Sequence, residues 1–227
     1  MKPGKGLQNR GLIVSCQALE DEPLHGGDTM TKMAIAAELA GAVGIRANGV
    51  HDIRSIKQAV KVPVIGLIKR HIPGSAIFIT PTLEEVHDII AAGADVVALD
   101  VTDREGRLDR AAELIQAAHA AGVSVMADVS TFEEGVAAAG LGADYIGTTL
   151  SGYTPYSAKS ESPDLYLVRK LSEAAKAPII SEGRIWTPGE AAMAMEAGAA
   201  FVVVGSAITR PQLIAARYAA AVHPFKV

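Results

Sequence analysis

With 227 residues, 49% of them hydrophobic and 20% charged, the chain can bury one substantial core, and no Pro/Ser-rich linker or composition shift divides it. A net charge of −4 gives no electrostatic case for nucleic acid or an anionic membrane as a partner. No apolar run approaches the roughly 20 residues of a membrane span, and the single cysteine, Cys16, excludes an internal disulfide and suits a reducing cytoplasm.

Met1 to Arg10 is polar and has no apolar signal-peptide core, so residues 1–10 are expected to form a short flexible leader and 11–227 one catalytic domain. Apolar strand candidates then recur about every 25 residues, near the size of one strand–helix unit. They are Leu12–Ser15, Val43–Arg46, Val64–Leu67, Val96–Leu99, Val123–Ala127, Tyr145–Gly147, Ile179–Ser181 and Phe201–Val204. Apolar spacings of three and four predict helices between them, at Met33–Leu39, Val86–Ala91, Ala111–Ala121, Val136–Ala139 and Ala191–Ala197.

A longer repeat lies beneath this one. Gly41-Ala42, Gly93-Ala94, Gly142-Ala143 and Gly198-Ala199 each stand just before an even-numbered strand, where glycine can end a helix in a left-handed turn. Thr82 with Glu85, Thr131 with Glu134 and Thr187 with Glu190 each fit a capping box at a helix start after an odd-numbered strand. Four strand–helix–strand–helix quarters close naturally as a single (β/α)8 TIM barrel of the α/β class. An open doubly wound sheet is the alternative, but it has no need of fourfold periodicity.

In such barrels the chemistry sits at the C-terminal strand ends. Just past the odd strands stand Gln17, Lys69, Asp128 and Glu182, which alternate-strand layering could bring to one level; past the even strands come Arg46, Asp100, Thr148 with Thr149, and Gly205 with Ser206. Gly183 and the Gly205-Ser206 turn lie after strands seven and eight, where barrels often hold phosphate, and Arg210 is near enough to add a charged hydrogen bond. Tight loops and nothing more are the plain reading of these glycines. Lys69 and Glu182 each emerge from a buried strand. Facing each other, they would form a coupled acid/base pair, the lysine pushed down and the carboxylate up by burial, with their attraction opposing both. A structural salt bridge closing the barrel top fits the same pattern.

Gln17 and Arg46 are candidates for orienting a substrate or for bonding to neighbouring loops. Asp128 could orient the lysine or bind a hydroxyl, while Asp103 is expected to cap a helix. The Gly147–Ser157 loop is hydroxyl-rich and carries Thr149 and Tyr153, as a lid over a polyhydroxylated ligand would. No metal site is expected, because the six histidines form no ligand-spaced pair; His71 could line the mouth. Cys16 reads as a buried structural thiol.

These residues resemble a known family, the bacterial N-acylglucosamine-6-phosphate 2-epimerases, also called N-acetylmannosamine-6-phosphate epimerases. The resemblance is carried by Gly11-Leu-Ile-Val-Ser-Cys-Gln-Ala18, Ala42-Val-Gly-Ile-Arg-Ala-Asn-Gly49, Ile65-Gly-Leu-Ile-Lys-Arg70, Met126-Ala-Asp-Val-Ser-Thr131, Gly147-Thr-Thr-Leu-Ser-Gly-Tyr-Thr-Pro-Tyr-Ser157, Ser181-Glu-Gly-Arg-Ile185 and Val204-Gly-Ser-Ala-Ile-Thr-Arg-Pro211. It implies interconversion of N-acetylmannosamine 6-phosphate and N-acetylglucosamine 6-phosphate in sialic-acid and amino-sugar catabolism, in the cytoplasm and with no cofactor. By the same resemblance Lys69 and Glu182 are the acid/base residues. Gln17, Arg46, Asp128 and Arg184 surround the sugar, and Gly205, Ser206 and Arg210 hold the phosphate; the barrel reading adds Gly183 to the phosphate end, and the loop reading adds Thr149 and Tyr153 to the sugar side. The implied partner is a small-molecule sugar phosphate, with homodimerisation open. His71 stands where an acidic residue is expected, and Ser181 replaces a more usual alanine. Two rival readings are a class I aldolase using Lys69 as a Schiff-base nucleophile and a non-catalytic sugar-phosphate sensor.

Overall fold

A computed structural model of the chain describes residues 6–70 and 79–223. Eight parallel strands close into a barrel in chain order, with β8 pairing back to β1. The strands are β1 Gly11–Cys16, β2 Gly44–Asn48, β3 Val64–Leu67, β4 Val96–Asp100, β5 Ser124–Asp128, β6 Tyr145–Gly147, β7 Ile179–Glu182 and β8 Phe201–Val204. Around them run α1 Thr29–Leu39, α2 Val50–Ala59, α3 Leu83–Ala91, α4 Arg107–Ala120, α5 Phe132–Gly140, α6 Leu165–Ala174, α7 Pro188–Glu196, the short α8 Ser206–Thr209 and α9 Pro211–Val222. This is the single (β/α)8 barrel expected from the repeat.

The local signals that predicted the barrel are the ones that punctuate it. All three Thr/Glu capping boxes form at the starts of α3, α5 and α7, with side chain and backbone satisfied reciprocally. The glycines before β2, β4, β6 and β8 adopt left-handed φ values of 96°, 95°, 94° and 108°, which let the chain turn from helix into strand. The continuous apolar runs follow from burial on both strand faces. Towards the barrel axis Ile13, Ile65, Leu67, Val96, Ala98, Met126, Ile180 and Val203 pack together. On the opposite faces Ile45, Val97, Val125 and Ile146 meet helix residues such as Ile53, Ile89, Leu114 and Leu171. Cys16 lies in this second layer, and burial pushes its thiol up to about 12, so it stays protonated.

Two expectations need correction. The second half of the expected flexible leader is docked: Leu7 is buried, and its backbone N–H donates to the Tyr145 hydroxyl at 2.9 Å. Its side chain closes the N-terminal mouth of the barrel, a burial that a polar composition average does not reveal. Asp103 does not cap a helix either. The N-cap of α4 is Gly106, and the exposed Asp103 forms an ion pair with the largely buried Arg107 at 3.1 Å. Among the described residues no helix is long and apolar enough to cross a membrane.

Candidate active site

The C-terminal strand ends surround a cavity of about 760 Å³. Its wall includes Gln17, Lys69, Thr149, Tyr153, Glu182, Gly183, Arg184, Gly205, Ser206 and Arg210. Arg46 and Asp128 do not reach the wall. They are 1% and 0% exposed and lie beneath it. His71 falls outside the described residues.

Beneath the cavity three charged side chains from three strands converge. Arg46 of β2 reaches Asp128 at the end of β5 through two bonds, Nη1 to Oδ1 at 3.0 Å and Nη2 to Oδ2 at 2.5 Å. The same Nη1 also donates to Oε2 of Glu182, the last residue of β7, at 2.6 Å. Thr149 Oγ1 stands 2.6 Å from Asp128 Oδ1 and 3.0 Å from Glu182 Oε2, so one hydroxyl proton serves two carboxylates. Gly147 leaves room beside this arrangement. A Cβ there would collide with Met126 Cε and fall 3.0 Å from Asp128 Oδ1.

Two carboxylates around one guanidinium leave the cluster one negative charge in excess if all three are ionised. Burial opposes the charge on Arg46, but Asp128 and Glu182 outweigh it and hold the guanidinium above its ordinary value. Glu182 is pushed up by burial and by Asp128, against the pull of Arg46, Lys69 and Thr149. Lys69 is brought down to about 8, chiefly by burial and then by the charge of Arg46, while Glu182 pulls the other way. The two groups are therefore moved toward each other, the lysine being more often neutral and so available as a base near pH 7, and the carboxylic acid a better proton store. Glu182 has Arg46 as its direct ion-pair partner, and Lys69 acts on it through space.

Lys69 is held in place through its backbone. Its N–H donates to Asn48 Oδ1 at 2.8 Å, and it forms a bridge with Ile79. Beyond that bridge Thr80 adopts a φ of 47°, and its N–H donates to Ile68 O at 2.8 Å. A non-glycine residue in the left-handed region is strained, and here the strain lies against the base of the lysine.

At the other end of the cavity Gly205 caps α8, a helix of only four residues. So short a helix has little dipole to offer, and the groups there suited to meeting an anion are local N–H groups and Arg210. Arg210 Nη1 donates to Ser206 Oγ at 3.3 Å, and its other side is ion-paired to Glu22, with Nε to Oε1 at 2.7 Å. Gly183 takes a φ of 113°, and Arg184 follows at 57°. Arg184 Nη1 donates to Ser151 O at 2.6 Å, its Nε to Ser162 O at 3.0 Å, and its guanidinium lies 5.6 Å from the centre of the Tyr153 ring.

Arg184 thereby braces the loop that follows β6. Tyr156 hydroxyl donates to Glu134 at 2.8 Å, Thr154 and Ser130 hydroxyls bond at 3.1 Å, and Lys159 binds the carbonyls of Gly152 and Thr154. The expected lid is in this structure a tied wall.

Three residues at or beside the site lie outside the candidates that the sequence pattern marks. Asn48 orients Lys69, Glu22 holds Arg210, and Trp186 lines the cavity under the Arg217 guanidinium, 4.2 Å from its ring centre. Trp186 was findable, being the one tryptophan of the chain and four residues beyond Glu182. Glu22 sits in an acidic run, Glu20-Asp21-Glu22, where nothing local separates it from its neighbours.

Residues 30–224 match the NanE family model, described as "Putative N-acetylmannosamine-6-phosphate epimerase". A protein of Caldanaerobacter subterraneus subsp. tengcongensis is 55% identical over 215 residues, spanning 93% of this chain and 90% of that one. A Clostridium perfringens protein is 51% identical over 208 residues, spanning 91% and 94%. Both bear the name "Putative N-acetylmannosamine-6-phosphate 2-epimerase". A solved structure from a structural and biochemical characterization of the N-acetylmannosamine-6-phosphate 2-epimerase from Clostridium perfringens superposes with a TM-score of 0.89 at 50% identity, covering 92% of each chain. Thiamine phosphate pyrophosphorylase from Pyrococcus furiosus, at 18% identity and a TM-score of 0.60, shares the fold alone.

Proposed function

Since the chain belongs to the N-acetylmannosamine-6-phosphate epimerase family, we propose that it is an isomerase interconverting N-acetylmannosamine 6-phosphate and N-acetylglucosamine 6-phosphate by proton removal and return at C2. The observation that carries this reading is the pairing of Lys69, at about 8, with a raised Glu182 in one cavity. Removing and returning a proton changes no oxidation state, so the reaction calls for no redox cofactor.

The C2–H of the open-chain sugar is acidic because the electron pair left behind spreads onto the C1 aldehyde oxygen. Neutral Lys69 takes the proton from one face, and protonated Glu182 supplies one to the other, which inverts the carbon; the reverse direction exchanges the roles. At pH 7 a lysine at about 8 is neutral in roughly one molecule in ten, enough for a working base. Arg46 and Asp128 act from below. They fix the orientation of Glu182 and set its proton affinity, with no place at the sugar itself. Gln17 lines the cavity and donates one amide hydrogen of Nε2 to Ser15 Oγ at 2.9 Å. Its second hydrogen is the donor we assign to the developing C1 oxyanion. Gly183, Gly205, Ser206 and Arg210 hold the phosphate, whose binding keeps C2 in register between the two acid/base groups. Thr149, Tyr153 and Arg184 form the sugar's side wall.

The test is turnover in D₂O followed by NMR at C2. Deuterium is expected at C2 of both epimers, and Lys69→Ala and Glu182→Gln are each expected to slow epimerisation by about 10²–10⁴-fold. Many turnovers with the original C2 proton retained would refute the scheme. Borohydride with substrate present separates it from a Schiff-base aldolase, which alone would be inactivated irreversibly.

A further inference from the structure

Glu22 lies in the connection between β1 and α1, with no contact to the acid/base pair, yet its carboxylate is one of the most fully engaged in the molecule. Oε1 lies 2.7 Å from Arg210 Nε in the ion pair and accepts from Gln212 Nε2 at 3.1 Å. Oε2 accepts from Arg210 Nη2 at 2.9 Å and from the backbone N–H of Leu19 at 2.8 Å. Its own N–H closes the turn by donating to Leu19 O at 2.9 Å. Each oxygen thus meets Arg210 and one further donor, and the arginine faces the carboxylate with its Nε and Nη2 edge.

That edge-on grip determines where the rest of the guanidinium points. Arg210 occupies the non-helical junction between α8 and α9, with φ −120° and ψ 77°. Its carbonyl is fixed by the N–H groups of Leu213 and Ile214, at 3.0 and 3.1 Å. The backbone is therefore set, and the flexible part is the side chain. Among the described residues its hydrogen-bond partner apart from Glu22 is Ser206 Oγ at 3.3 Å, a long bond that would not by itself order the fork. With Nε and Nη2 on Glu22, Nη1 is turned toward Ser206 and the cavity.

We propose that Glu22 is a positioning residue for the phosphate end of the substrate, holding the Arg210 fork so that its Nη1 side faces an anion at the Gly205-Ser206 turn. This rests on the reading that Arg210 binds the 6-phosphate. A carboxylate behind an arginine also lowers the field that an incoming phosphate feels. That opposition is partial, because the carboxylate lies behind the guanidinium and farther from the anion, whereas an unheld arginine must be ordered anew at each binding event, so the orienting effect prevails.

The experiment uses the full chain in four forms, Glu22→Gln, Glu22→Asp, Arg210→Ala and the double variant Glu22→Gln/Arg210→Ala. For each, KM and kcat are measured with N-acetylmannosamine 6-phosphate, and inorganic phosphate is titrated as a competitive inhibitor. Glu22→Gln is expected to raise both KM and the phosphate Ki about tenfold, with kcat within about twofold. Glu22→Asp, which keeps the charge, is expected to recover part of the loss, and it carries the comparison if the glutamine variant does not fold. Arg210→Ala raises KM and Ki at least as far, and adding Glu22→Gln to it changes neither further. Unchanged or lower KM and Ki in Glu22→Gln, or a full further loss on top of Arg210→Ala, overturns the positioning role alone. Unchanged KM and Ki in Arg210→Ala would instead remove the phosphate reading, and the role of Glu22 with it.

Discussion

The two ends of the barrel carry the same kinds of residue and treat them in opposite ways. At the N-terminal end Asp95 and Asp144 stand just before β4 and β6. Asp95 accepts from the Val64 N–H at 2.9 Å and pairs with Lys57; Asp144 accepts from the Val125 N–H at 2.7 Å and pairs with His119 at 2.9 Å. Each carboxylate has its own backbone donor and its own basic side chain near the surface. At the C-terminal end Asp128 and Glu182 share one buried guanidinium and one threonine hydroxyl. The lower carboxylates are satisfied one by one and hold neighbouring strands in register. The upper ones share their donors, and burial together with the neighbouring charge of Asp128 lifts the proton affinity of Glu182, which is what the proposed acid/base role asks of it.

The strongest way to break this contrast is Arg46→Met. It leaves two buried carboxylates without their cation, and breaking a buried pair from one side costs about 3–5 kcal/mol. The expected outcome is a loss of that order in chemical denaturation together with a fall in kcat/KM of at least about 10³-fold, because Glu182 loses both orientation and tuning. Lys57→Met, which removes the corresponding cation from Asp95 at the lower end, is expected to cost only about 1 kcal/mol and to leave kcat/KM alone. Comparable losses of activity in both variants would mean that the two ends do not differ in the way described.

How much of this could be read from the chain alone depended on how local each signal was. The strands were legible because a strand buried on both faces is a continuous apolar run, and the capping boxes and left-handed glycines were legible because each lies within four residues. Lys69 and Glu182 could be named because each ends such a run. The placement of Arg46 could not, although it too ends one. Its partners lie 82 and 136 residues away, and only closure of the barrel shows that it points beneath the cavity instead of into it. Glu22 and Arg210 are 188 residues apart, and they meet because β8 pairs with β1. The docking of Leu7 under Tyr145 was hidden for the same reason, since 138 residues separate them.

A smaller effect sharpens the contrast from within the upper end. The Lys69 ammonium is disfavoured in the folded protein, so its value of about 8 lies below that of a lysine in the unfolded chain, about 10.4. The unfolded state then binds more protons between those values, and stability from this group rises with pH across that window. The penalty is complete below about 8 and has gone above about 10.4. Lys69→Met is therefore expected to raise Tm at pH 7 by about 2–6 °C, corresponding to about 1–2 kcal/mol for a domain of this size, and to give no gain at pH 10.5. Scanning calorimetry at the two pH values decides it. A lower Tm at pH 7 would mean that the lysine stabilises the fold, as an ordinary salt bridge closing the barrel top would.

The smallest effect belongs to the lower end. Tyr145 packs edge-on against Phe201, with ring centres 6.1 Å apart and planes at 80°, and its hydroxyl takes the Leu7 N–H. Tyr145→Phe keeps the ring packing and removes the acceptor, leaving a backbone N–H without its bond at a buried position. One such loss is expected to cost about 1 kcal/mol, or about 2–4 °C in Tm. Because the hydroxyl faces the mouth opposite the cavity, kcat and KM should stay at the values of the parent chain. A change in either would mean that the packing of residues 6–10 is transmitted along the strands to the other end, and that the barrel's two ends are coupled through its core.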